Sequence, residues 1–113
     1  MDETKYAKAF ELIMNAGNAK SLALMAVESA REFDFEEAQK QLKESQQEFH
    51  LAHQAQSDMI QGEANGKPVE LNIVLVHAQD HLTMATMAQD NAQEFINPVS
   101  YTHLRAHETT LHL

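Results

Sequence analysis

Three side chains in one segment have both the types and the spacing for chemistry: His77, Asp80 and His81. Positions i, i+3 and i+4 share one face of a helix, because each residue advances about 100° around the axis. Imidazole is a competent nucleophile near neutral pH and forms covalent intermediates. A histidine that takes up a phosphoryl group needs one ring nitrogen exposed and the ring held in place. An amide such as Gln79, or the second imidazole of His81, could hydrogen-bond that ring or the phosphoryl oxygens. Alternatively, His77 and His81 could ligate a metal with Asp80 as third ligand. A surface histidine pair without chemistry is the remaining reading, and an H-x-x-D-H pattern alone does not choose among the three.

Asp80 carries a second signal. Ile73, Val76, Thr83 and Met87 continue it at 3-4 spacing, so the carboxylate interrupts a stripe that otherwise reads as core. A lone buried acid costs on the order of several kcal/mol unless something compensates it.

The elements that must position these residues are helical. Only three Gly and two Pro punctuate 113 residues, and aromatics make up 6%, so the core must be built from Ala, Leu, Ile, Val and Met. A first helix is predicted from Glu3 to Arg31. Its stripe Ala9, Leu12, Ala16, Ala19, Ala23, Ala26 and Ala30 keeps strict 3-4 spacing, flanked by a second stripe of Tyr6, Phe10, Ile13, Gly17, Leu24 and Val27. Gly17 would mark a bend or a close contact. Asp34 followed by Glu37 reads as a capping-box start. The second helix then runs from Phe35 to Gln61 on Phe35, Ala38, Leu42, Ser45, Phe49, Ala52, Gln56 and Met59. His50 and His53 stand at i, i+3 on it, but nothing around them completes a metal site, and a solvated or packing role is expected.

Gly62 to Pro68 reads as the loop, with Pro68 opening a third helix over Val69–Ile96. Three helices with short joins predict an all-α, antiparallel up-down-up three-helix bundle. Residues 1–97 form the domain. Pro98 should end the helix, and residues 98–113 depart in composition. That tail resembles the in-frame translation of a sequencing adapter, so it is expected to be non-native or disordered, and His103, His107 and His112 are assigned no role.

Composition excludes several classes. A formal charge of −9 argues against nucleic acid, since phosphate binding needs clustered Lys and Arg. Without Cys there is no disulfide frame and no thiolate chemistry. No apolar run reaches the roughly 18–20 residues of a membrane span, and Met1-Asp-Glu-Thr-Lys is not a basic leader. A cytoplasmic protein without membrane insertion is expected.

Three segments carry a resemblance: Asn15-Ala-Gly-Asn-Ala-Lys-Ser-Leu-Ala, Ala30-Arg-Glu-Phe-Asp-Phe-Glu-Glu-Ala and Leu75-Val-His-Ala-Gln-Asp-His-Leu-Thr-Met-Ala. From Tyr6 to Ile96 the chain resembles the lactose/cellobiose-type enzyme IIA of the bacterial phosphoenolpyruvate-dependent sugar phosphotransferase system (PTS). The resemblance implies a homotrimer of three-helix protomers. It implies a stoichiometric phosphoryl carrier that accepts from the histidine-containing phosphocarrier protein and passes the group to a sugar-specific IIB component, working with a membrane IIC. The sugar would be a β-glycoside disaccharide, and lactose, cellobiose and diacetylchitobiose all remain open. The phosphorylated residue falls on His77, as a tele-phosphohistidine, with Gln79 and His81 supporting it. The family's metal-binding carboxylate falls on Asp80.

That assignment would resolve the misplaced acid, if three Asp80 converge on an axis. Three bare carboxylates would repel by roughly 4 kcal/mol per pair at an effective dielectric near 20, and one Mg²⁺ per trimer would remove that penalty. The sequence departs from the family at its C-terminal helix end. The rival readings are a helical metal-binding or structural bundle and a two-component histidine phosphotransfer module; the latter's Lys-Gly near the histidine is absent.

Overall fold

The alanine stripe of the first helix dictates how the chain packs, because small side chains let neighbouring backbones approach closely. The computed structural model describes the backbone of residues 3–112 and the side chains of residues 6–97. It places three helices in order: α1 over Glu3–Arg31, α2 over Phe35–Ala64 and α3 over Ile73–His112. All seven residues of the α1 stripe are buried. α1 is the central helix, packed far more extensively on α2 and on α3 than those two are on each other.

The core has two parts that fix the topology. Ala9, Leu12, Ala16 and Ala19 meet Ala52 and Met59 from the end of α2, and Ala78, Leu82 and Ala85 from the start of α3. Ala23, Ala26 and Ala30 meet Ala38 and Leu42 from the start of α2, and Ala92 and Ile96 further along α3. α2 therefore runs against α1, and α3 runs with it: the up-down-up bundle.

Buried polar groups tie the helices together at one level. The Ser45 hydroxyl donates to the Ala19 carbonyl at 2.5 Å, and the Gln89 amide donates to Ser45 Oγ at 2.9 Å. One serine on α2 thus links all three helices, and each partner satisfies a group that would be costly to bury alone.

α1 and α2 end in the same hydrogen-bonded motif. At α1, the Asp34 N–H reaches the Ser29 carbonyl at 2.9 Å and the Phe33 N–H reaches Ala30 at 3.0 Å. At α2, the Lys67 N–H reaches Gly62 at 2.8 Å and the Gly66 N–H reaches Glu63 at 3.0 Å. Both are Schellman arrangements, which need a left-handed residue. Gly66 supplies it at φ 80°, whereas Phe33 does so at φ 63°. Asp34 then caps α2 at once, its Oδ1 accepting from the Glu37 N–H at 3.2 Å.

Three expectations need correction. The loop is not Gly62–Pro68: α2 continues to Ala64 and the non-helical stretch is 65–72. Pro68 does not open α3; Asn72 does, its Oδ1 accepting from the Leu75 N–H at 2.9 Å while its carbonyl accepts from the Val76 N–H at 3.1 Å. An asparagine side chain caps a helix start better than a proline four residues upstream can set it. Nor does Pro98 stop α3, whose backbone stays helical to His112. Proline costs one rung of the helix ladder there. The tail histidines His103, His107 and His112 lie outside the described side chains.

The stripe holding Asp80 is not a core of this chain either. Ile73 is 80% exposed and Met87 61%, and Val76, Asp80 and Thr83 are exposed too. At about 100° per residue they point away from Ala78, Leu82 and Ala85, which enter the bundle from the opposite side of α3.

Candidate functional site

The Asn72 cap starts α3 one turn ahead of His77, so the ring stands near the helix N-terminus on a well-anchored first turn. Ala78 beside it is fully buried, which sets the rotation of the helix and leaves His77 exposed to solvent. His81, one turn on, is half-buried. The two rings meet as the i, i+4 spacing requires. Their Nε2 atoms are 3.1 Å apart, with centroids at 4.5 Å and planes at 86°. The Nδ1 of His81 is buried without a hydrogen-bond partner.

Asp80 lies on the outer face, at one wall of an open groove of about 390 Å³ between α1 and α3. Phe10, Ile13, Ile73 and Val76 supply its apolar walls, and His77 shares its rim. The structure thus gathers His77, His81 and Asp80 on one side of α3.

Gln79 is not with them. It projects from the other side of the helix, where its Oε1 accepts from the Gln56 amide of α2 at 2.5 Å. Within one chain it is a strut between α2 and α3 and does not touch the histidine pair. Gln56 itself was not singled out as a site residue. The available signal was a polar residue inside the apolar stripe of α2, and Ser45 gave the same signal for the buried link to Gln89.

No group of three His, Cys, Asp or Glu is gathered to hold a metal among the described residues. His77, His81 and Asp80 of a single chain therefore do not form a ligand set. His50 and His53 are exposed on α2, where His53 stacks on Phe49 with centroids at 5.9 Å. Among the described residues no helix is long and apolar enough to cross a membrane. What remains is an exposed nucleophile held by a neighbouring imidazole, an arrangement suited to carrying a transferable group.

Comparison with known proteins bears on which group that is. The family model described as PTS system, lactose/cellobiose specific IIA subunit, matches residues 7–100. The lichenan-specific phosphotransferase enzyme IIA component of Bacillus subtilis is 40% identical over 96 residues, covering 85% of this chain and 87% of that one. The PTS cellobiose-specific enzyme IIA of Bacillus anthracis has a similar structure, with TM-score 0.86 and 35% identity over 92% of this chain and 95% of that one. The IIA(chitobiose) of the Escherichia coli phosphotransferase system, solved in complex with HPr, gives TM-score 0.74 and 31% identity over 88% and 96% of the two chains.

Proposed function

The chain belongs to the lactose/cellobiose-specific IIA family of the sugar phosphotransferase system, and from that premise we propose that His77 is the residue on which it carries phosphate. IIA components are phosphoryl-transfer carriers, and the function of this chain is that transfer. The observation that supports His77 is its placement: an exposed ring on α3, with Nε2 fixed 3.1 Å from a second imidazole and clear of the core. The donor is HPr, the partner of the E. coli IIA, and the acceptor a sugar-specific IIB component with its membrane IIC. The sugar is a β-glycoside disaccharide, and the transfer takes place in the cytoplasm.

Phosphoryl transfer demands positioning and stabilisation of the charge on the moving group. The first demand is met by the Asn72 cap and the buried Ala78, which fix the start and rotation of α3. Gln79 serves the same end by holding α3 to α2 through Gln56. The second demand is met poorly by a chain of charge −9. The basic groups come from the donor and the acceptor, and His81 is the hydrogen-bonding group on this side.

The outward apolar face of α3 supports assembly as a homotrimer. Ile73, Val76 and Met87 share that face of α3 with Asp80, and the exposed Phe10 of α1 lines the groove beside it. One chain offers a single carboxylate, so a cation would be held by Asp80 from three copies. Oxygen ligands suit Mg²⁺, and the ion would neutralise the converging charges without entering the transfer. Asp80→Ala should fall to monomers in sedimentation at low protein concentration, whereas a metal-free wild-type trimer of full stability would refute the metal assignment.

The test of the carrier reading is incubation with phosphoenolpyruvate, the general phosphotransferase proteins and labelled phosphate. His77→Ala should accept no label while keeping its helix content. Label on that variant would end the assignment.

A further inference from the structure

We propose that Asn65 is a site of spontaneous covalent modification, deamidation through a cyclic imide, and that the hydrogen-bonded end of α2 sets its rate. The reaction needs a side-chain amide and a following backbone N–H that can reach it. The main-chain nitrogen of the next residue attacks the asparagine Cγ. The new C–N bond closes a five-membered ring as that nitrogen gives its proton to hydroxide. The side-chain nitrogen takes a proton from water and leaves as ammonia. Water then opens the ring at either carbonyl, giving aspartate or isoaspartate. A side chain on the following residue obstructs the approach, and glycine has none.

Five of the six asparagines lack one of these requirements. Asn15, Asn18 and Asn91 lie inside α1 and α3, where alanine follows each and its N–H is held in the helix ladder. Asn72 has its side chain in the α3 cap and is followed by the β-branched Ile73. Asn97 precedes Pro98, which has no N–H. Asn65 alone is followed by glycine, and both residues are exposed. Among the described residues, no other group lies within 4 Å of where a Cβ of Gly66 would stand. The Gln61 amide donates to Asn65 Oδ1 at 3.3 Å, which polarises the carbonyl that is attacked.

The resting geometry holds the reaction back. Asn65 has ψ 10° and the Gly66 N–H reaches the Glu63 carbonyl at 3.0 Å, so the nitrogen is turned toward the helix and away from Cγ. Ring closure requires the last turn of α2 to open, freeing this N–H and the Lys67 N–H that reaches Gly62. Helix ends open locally at small cost. Residues 63–71 are all exposed, so little burial opposes the opening. Either product places a carboxylate at the C-terminal end of α2, whose last turn holds no basic residue and whose dipole disfavours the charge. Isoaspartate also adds one carbon to the main chain of the 65–72 stretch, which leads to the Asn72 cap.

The test is to age the purified protein in warm, mildly alkaline buffer. Isoaspartate is counted with isoaspartyl methyltransferase and labelled S-adenosylmethionine, and placed in the chain by mass-spectrometric fragmentation. It should accumulate at position 65 and at no other asparagine, and Asn65→Gln should accumulate none. A synthetic peptide spanning 59–70 lacks the cap. It should react about ten- to a hundredfold faster than the protein, because two hydrogen bonds of ordinary net strength no longer hold the nitrogen back. In the full chain, Lys67→Pro removes one of those donors and should speed the modification about three- to tenfold. No isoaspartate at position 65, or as much at another asparagine, would overturn the assignment of the site. A protein that reacts as fast as the peptide, or a Lys67→Pro variant no faster than wild type, would overturn control by the cap.

Discussion

The two sides of α1 and α3 are built from opposite materials. Eleven of the sixteen buried hydrophobic residues among those described are alanine, while Phe10, Met14, Leu24, Ile73 and Met87 are exposed. A chain that only had to fold alone would place its large side chains inside, where each contributes about 1.5–3 kcal/mol by burial. Here small residues bring the helices close, and large ones stay outside, with Phe10 and Ile73 lining the groove beside Asp80. The inner face specifies the protomer, and the outer face is the one proposed to meet other copies.

Substitutions on each face can break that distinction. The largest effect is expected for Met87→Glu, which in the proposed trimer would set three added charges against one another on the face that holds Asp80. Sedimentation should find monomers with unchanged helix content; an intact trimer would mean that this face is not the contact. Leu12→Ala, on the inner face, removes a fully buried side chain and should cost about 3–5 kcal/mol in chemical denaturation. Ser45→Ala leaves the Gln89 amide and the Ala19 carbonyl without their shared partner, and should cost about 1–3 kcal/mol.

The smallest effect sharpens a second contrast, between the helix ends. Gly66 and Phe33 occupy the same left-handed position of the same motif. Phe33→Gly should relieve about 1 kcal/mol of backbone strain, less whatever its edge contact with Phe35 contributes. A gain in melting temperature is the expected reading, and a loss would give the side chain a packing role that outweighs the strain.

The alanine stripe, the α1 bounds and the Asp34 cap were legible because each follows from local spacing or local hydrogen bonding. The His77–His81 contact was legible for the same reason. The start of α3 was misread because Pro68 is a strong local signal, and the cap that overrides it depends on how Asn72 meets Leu75. The Asp80 stripe was read as core because periodicity reports an apolar face without saying what covers it. Gln79 stands apart from the histidines of its own chain, because two residues along a helix turn it about 200° away and it bonds Gln56 across the bundle.

The central claim is that phosphate rides on the ring of His77. Phosphorylating the protein through phosphoenolpyruvate and the general phosphotransferase proteins, then mapping the modified residue by mass spectrometry under alkaline conditions, tests it most directly. The account predicts one acid-labile, base-stable phosphoryl group per chain, on His77, that leaves when the matching IIB component is added. Phosphate on His50, His53 or any other side chain, or its persistence at another position in His77→Ala, would contradict it.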